Sequence, residues 1–257
     1  MEQLMMEAGL ILGSQPTLHS FTAALLNLDG PLLSGDPEMP VIDRLDFSGT
    51  GEITPEQLEE GHFEGELTLE GVAMSGYELE RSALQYSWNR QQADLHLSLV
   101  HQDQMADASV QVEDLFEELP RWDLRMTGRQ LNLAQLLNDP EMESLLNLDL
   151  VARGAGFELS EEWITAELSL EESHWGGVPL DQAELSAELT ATELVADLRA
   201  QLNESRLAAA ITAESWQSTP RYKFRASTEQ LTLTDIMGEE GLPSDLNLTI
   251  EGDGSGI

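Results

Sequence analysis

An apolar residue at every second position, with a polar residue between, is the pattern that most limits what this chain can fold into. Leu67 and Leu69 flank Thr68, and Leu95, Leu97 and Leu99 alternate with His96 and Ser98. The step returns at Val110–Val112, Leu124–Met126 and Leu131–Leu133. It continues through Ile164, Ala166, Leu168 and Leu170, then Leu185, Ala187 and Leu189, then Leu194, Ala196 and Leu198. Leu207, Ala209, Ile211 and Ala213 follow, then Tyr222, Phe224 and Ala226, Leu231 and Leu233, and finally Leu246, Leu248 and Ile250. Successive side chains of a strand point to opposite faces, so this period builds a sheet with one apolar and one wet face. Leucine and alanine are weak strand formers, and Asp181–Ala200 is apolar enough to suggest a helix. The unbroken alternation from Leu185 to Ala191 favours a strand there.

Glycines punctuate the pattern. Gly49-Thr50-Gly51, Gly71, Gly76, Gly154-Ala155-Gly156 and Gly176-Gly177 read as turns or bulges between strands. Leu115–Leu119 and Gln135–Leu146 read as short helical or 3₁₀ connectors, and the opening Met1–Leu12 as a short helix or a fragment edge.

The pattern also repeats over a longer distance. Asp-Pro-Glu-Met occurs at Asp36–Met39 and at Asp139–Met142, and the neighbourhoods match as well. Trp122–Leu136 aligns with Tyr222–Ile236 at an offset of 100, pairing Arg125 with Arg225 and Gln130-Leu131 with Gln230-Leu231. Leu148–Gly156 falls on Leu248–Gly256 at the same offset, and Leu67–Leu84 falls 101 residues before Leu168–Leu185. The expected organisation is one continuous repeat array. It comprises a partial unit over 1–46, full units over 45–146 and 147–243, and the start of another over 244–257. A chain that stops inside a repeat is expected to be a piece of a longer protein. A one-sided sheet must close into a barrel, pack on a second sheet or extend as a stacked array. The near-constant period favours an extended, curved, mainly antiparallel sheet with few short helical connectors.

Charge narrows the function. The 257 residues carry 48 acidic and 12 basic side chains, a formal net charge of −36, and the single lysine is Lys223. Nucleic acid is excluded as a partner, because phosphate binding needs a basic track. The acidity reads either as a solvated surface adapted to high salt or as a patch for a basic partner or cations. No run approaches 18 apolar residues, and Met1–Leu12 lacks the basic segment of a secretory signal. With no cysteine, the chain has neither disulfides nor thiolate metal sites.

No residue set suggests catalysis. The carboxylate pairs Glu161-Glu162 and Glu171-Glu172 are two among many, and the five histidines, His19, His62, His96, His101 and His174, form no spaced metal motif. The expectation is a non-enzymatic protein with no cofactor. Trp88, Trp122, Trp163, Trp175 and Trp216 read as packing residues rather than as a binding platform.

Leu131–Leu137 (Leu-Asn-Leu-Ala-Gln-Leu-Leu), Leu26–Leu33 and Leu231–Ile236 share a strand ending in a leucine step that runs into a leucine-bearing connector. With the Gly-x-Gly segments at 49–51, 154–156 and 252–256, and with Gly71–Leu84 and its partner His174–Leu185, this arrangement resembles the AsmA-like family, within it the TamB-type proteins. The resemblance implies a hydrophobic β-gutter, or β-taco, in the periplasm, in a protein anchored in the inner membrane. It implies a lipid-conducting role between inner and outer membranes, carrying phospholipid acyl chains. Neighbouring β-repeats and an outer-membrane barrel protein would be partners, through support of outer-membrane protein assembly. The lipid-contact residues it implies are the alternating apolar ones: Leu67, Leu69, Leu95, Leu97, Leu124, Leu168, Leu170, Leu185, Leu189, Leu198, Ile211, Phe224, Leu248 and Ile250. Two departures from the family are expected to matter: the extreme acidity, and that neither its membrane anchor nor its C-terminal domain is among these 257 residues. The competing expectation is a structural or adhesin-like β-repeat protein with a closed core.

Overall fold

The computed structural model describes residues 3–11, 17–29, 40–53, 58–74, 77–136, 139–156, 163–176, 178–215, 219–232 and 245–255. Their contacts divide the chain into two compact units, Met1–Glu117 and Glu118–Ile257.

The first unit is an open antiparallel meander of β1 (Gln3–Ile11), β2 (Thr17–Asp29), β3 (Val41–Ile53), β4 (His62–Met74), β5 (Tyr77–Asn89), β6 (Gln92–His101) and β7 (Gln104–Glu113). The second is an open meander of β8 (Arg121–Leu131), β9 (Ser144–Ala155), β10 (Trp163–Trp175), β11 (Val178–Leu189), β12 (Glu193–Leu202), β13 (Ser205–Glu214), β14 (Arg221–Leu231) and β15 (Leu246–Ser255). Every strand pairs with its sequence neighbour in its unit, the arrangement short loops allow at least entropic cost. Among the described residues of each unit, close backbone contacts join consecutive strands or involve the connector after β8. Register shifts in β1, β2, β8, β10 and β14 insert extra residues and bend the strands, which curves the sheet.

Strand lengths recur. β3 to β8 have 13, 13, 13, 10, 10 and 11 residues, and β9 to β14 have 12, 13, 12, 10, 10 and 11. The bulges recur with them. In β8 and β14 the register slips between Gly128 and Leu131 and between Thr228 and Leu231. Gln130 and Gln230 adopt φ of 54° and 53° there. Each bulged amide finds a side-chain acceptor: Gln130 N donates to Asn147 Oδ1 and Gln230 N to Asn247 Oδ1, both at 3.0 Å.

Buried residues of the second unit lie at both strand-end margins, Ala155 and Ala213 at one and a row of leucines at the other, where β8, β12 and β14 end. Leu131, Leu146, Leu202 and Leu231 are all below 10% exposed there. Buried hydroxyls lock the same margin. Ser173 Oγ accepts from Asn147 N at 2.9 Å, Ser144 Oγ accepts from Leu133 N at 2.7 Å, and Ser205 Oγ donates to Gln230 O at 3.0 Å. Each of these three hydroxyls thereby has a hydrogen-bond partner.

Several expectations are corrected. Gln3–Ile11 is a strand, not a helix, because the sheet offers its backbone a partner in β2. Leu115–Leu119 is turn and bend. The connector after β8 is a one-turn helix, α1 (Leu133–Leu136), and a 3₁₀ turn, Pro140–Met142, capped by Asp139 Oδ1 accepting from Glu141 N at 3.0 Å. Leu133 therefore belongs to the helix, and the strand resumes at Ser144. Gly49, Gly51, Gly71 and Gly154 lie inside strands rather than between them. Asp36–Met39, Gly76, Gly177, Trp216 and Leu233 lie outside the described residues.

Candidate functional site

Cross-strand register sorts every side chain onto one of two faces, because residues directly opposite each other share a face. In the first unit Phe21, Gly49, Gly65, Tyr86, Leu95 and Val110 form one rung across β2–β7. Ala23, Phe47, Leu67, Leu84, Leu97 and Ala108 form the next, and Leu25, Leu45, Leu69, Ser82, Leu99 and Ala106 a third. In the second unit a rung runs Trp122, Gly154, Ile164, Leu189, Leu194, Ala213, Tyr222, Gly254. Beside it lie Leu124, Ala152, Ala166, Ala187, Ala196, Ile211, Phe224, Gly252. Two more follow: Met126, Leu150, Leu168, Leu185, Leu198, Ala209, Ala226, Ile250, and Gly128, Leu148, Leu170, Ala183, Ala200, Leu207, Thr228, Leu248.

The fourteen residues expected to contact lipid fall on these rungs. Leu67, Leu69, Leu95 and Leu97 share one face of the first unit, and the other ten share one face of the second. Eight of the fourteen are half-buried and six are exposed. Leu185 is 37% exposed, Ile211 and Phe224 39%, Leu95 41%, Ile250 49% and Leu248 52%. Single exposed leucines are ordinary on protein surfaces, whereas contiguous exposed rungs mark a surface that meets something apolar.

Sequence reasoning missed how the face is tiled. In the second unit Trp122 lies over Gly154 and Phe224 over Gly252, so that a Cβ on either glycine would stand 2.5 Å from a ring atom. Trp122 Nε1 reaches on to donate to Gly156 O at 3.0 Å. In the first unit Phe21, Phe47, Phe63 and Tyr86 cluster over Gly49 and Gly65, with ring centroids 4.3–6.0 Å apart. The Gly-x-Gly segments are thus seats for aromatic rings from a neighbouring strand. The readable signal was an aromatic at the cross-strand position, as at Trp122 and Gly154 and, 100 residues on, at Tyr222 and Gly254. Burial in this cluster pushes the Tyr86 phenol above its ordinary value.

The opposite face is polar and ionic. Arg153 Nε meets Asp123 Oδ1 at 2.6 Å, Arg225 meets Glu251 at 3.3 Å, Arg129 meets Asp149 at 3.6 Å and Arg206 meets Glu229 at 3.8 Å. Arg44 pairs with Asp46, whose hydrogen bond and charge raise the guanidinium pKa. A groove of 710 Å³ in the first unit runs between two polar rows that include Ser48, Glu66, Gln85 and His96 on one side and Thr50, Glu64, Ser87 and Asp94 on the other. Grooves of 520, 410 and 320 Å³ in the second unit lie on the polar face too. The carboxylate-lined grooves on the polar face do not suit an acyl chain. His96 and His101 sit on opposite faces of β6, with His96 4.0 Å from Asp107.

Fold and face together define a class: an open, single-layer antiparallel sheet in each unit, ionic on one side and apolar on the other. Comparison with protein-family models, with curated proteins and with solved structures finds no match to the chain.

Proposed function

We propose that this chain is a lipid-binding and lipid-conducting segment of an envelope-spanning bridge protein of the AsmA-like, TamB type. It would work in the periplasm, in a protein anchored in the inner membrane, and would carry phospholipid acyl chains toward the outer membrane without catalysing a reaction. The observation that carries the reading is the set of apolar rungs on one face of each unit, where Leu95 is 41% exposed in the first and Leu185, Ile211 and Phe224 are 37–39% exposed in the second. An elongated apolar ligand laid on them covers surface that the fold itself leaves bare.

The physics favours transfer over capture. Each CH₂ removed from water contributes about 0.8 kcal/mol, so an acyl chain is held by its length. The middle rungs of the second unit are built largely of Leu, Ile and Ala, so neighbouring positions there would bind an acyl chain similarly and sliding would cost little.

The test is native mass spectrometry of the purified chain, paired with lipid analysis of an organic extract. Phospholipid should co-purify, and its occupancy should fall at least tenfold in a Leu168→Asp, Leu170→Asp, Leu189→Asp variant whose circular dichroism is unchanged. A lipid-free protein that takes up no added phospholipid would overturn the reading.

A further inference from the structure

Two polar side chains on the apolar-rung face of the first unit have nothing in the fold to bond. Ser82 stands in the third rung, opposite Leu69 of β4 and Leu99 of β6, and is 6% exposed. Its hydroxyl has no hydrogen-bond partner among the described residues. His101 lies two residues past Leu99 on the same face of β6, half-buried, and its Nδ1 is buried without a partner. Each group has lost water and gained no bond, which is uncompensated desolvation. The second unit shows that the fold needs neither. Its β11 and β12 match β5 and β6 at an offset of 101, and there Ala183 replaces Ser82 and Leu202 replaces His101. Ala183 faces Ala200 as Ser82 faces Leu99, and Ala183 and Leu202 are both buried. The pair also stands at a boundary. On one side is the rung of Leu67, Leu84 and Leu97. On the other, two residues further along their strands, are Glu80 and Asp43, whose carboxylate lies over Gly71.

We infer that Ser82 and His101 hold the headgroup of a phospholipid whose acyl chains lie on the adjoining leucine rungs, and that this headgroup carries a primary ammonium. The inference rests on the lipid reading and adds where the polar end of the ligand sits. Because Ser82 faces Leu99, Ser82 and His101 are diagonal neighbours, about 7–8 Å apart, a span that one glycerophosphate group bridges. The hydroxyl donates to a phosphate or ester oxygen. Nδ1, as N–H, does the same once the half-buried imidazole turns about its soft terminal torsion. Asp43 and Glu80 repel a phosphate but attract an ammonium beside it, so a headgroup with both charges is favoured over one with phosphate alone.

The experiment uses the full chain and native mass spectrometry, with dioleoyl phosphatidylethanolamine and dioleoyl phosphatidylglycerol, which share their acyl chains. The variant is Ser82→Ala, His101→Leu, which copies the second unit. The unaltered chain should form its one-lipid complex with the ethanolamine lipid roughly threefold more tightly, the scale of one partly exposed charge contact. The variant should lose that preference and still bind both lipids through their acyl chains. Without lipid it should melt no lower than the unaltered chain, because the groups removed were unbonded. Equal affinity for the two lipids, a preference for the glycerol lipid, or a preference that the variant keeps would overturn the headgroup site and leave the lipid reading standing. So would a variant that melts lower without lipid, since the fold would then depend on the two groups. Uptake of neither lipid would overturn both.

Discussion

Gly154 and Trp122 show at single-residue scale how neighbouring strands of the second unit are packed together. The ring lies where a Cβ would be, 2.5 Å from the position such an atom would take. Gly154→Val is therefore expected to cost roughly 1–3 kcal/mol, the usual price of overpacking, read as a lower urea midpoint at unchanged m-value. Tyr86 gives a second test. Its phenol is shifted upward by burial, so the folded state keeps the proton that the unfolded chain loses near the ordinary value of 10. Stability from this group is complete below that pH and is lost as pH rises through the raised value. Tyr86→Phe should flatten the loss of thermal stability above pH 10 and leave the neutral-pH midpoint nearly unchanged. The glycines were visible in the sequence but read as turns. Their purpose lies in a residue on another strand, which local punctuation rules do not consult.

Elements were legible wherever the alternation ran unbroken. Leu95–Leu99, Ile164–Leu170 and Leu207–Ala213 all lie in strands, β6, β10 and β13. The reading failed at strand ends. Leu131-Asn-Leu133 alternates like a strand, yet Asn132 Oδ1 accepts from Ala134 N at 3.0 Å and starts a helix. The bulges were hidden because their cause, Asn147 or Asn247, sits 17 residues beyond the glutamine it serves. Asn147→Ala strands the Gln130 amide and is expected to cost about 1 kcal/mol, measurable by urea unfolding. Two hairpin loops run the other way. Arg90 and Gln102 open two-residue loops at φ of 57° and 53°, a region that costs a side-chain-bearing residue about 1–2 kcal/mol and glycine little. Arg90→Gly and Gln102→Gly should each raise stability by up to about 1 kcal/mol, since the entropy lost by glycine offsets only part of the relief.

For the whole molecule, charge and apolar surface are the governing quantities. A net charge of −36 on thin sheets makes self-repulsion a global destabiliser. The ion pairs on the polar face are about half exposed or more on at least one partner and contribute little individually. Screening shortens from about 10 Å at 0.1 M salt to about 3 Å at 1 M. The melting temperature should therefore rise with sodium chloride over that range, and a fall would show that the ion pairs outweigh the repulsion. The period-two pattern was enough to sort apolar from polar faces across both units, since one face must leave water. What occupies the apolar face is a different matter, because alternation is the same whether a second sheet or a ligand covers it. The tryptophans can decide between them. Trp122 stands on the apolar face, and Trp163, paired with Ala155, stands on the other at 46% exposed. Two variants should be made, one keeping only Trp122 and one keeping only Trp163, with every other tryptophan changed to phenylalanine. Each is titrated with phospholipid brominated along its acyl chains. If acyl chains lie on the apolar rungs, bromine quenches Trp122 and leaves Trp163 bright. Equal quenching of both, or quenching of Trp163 alone, would contradict it.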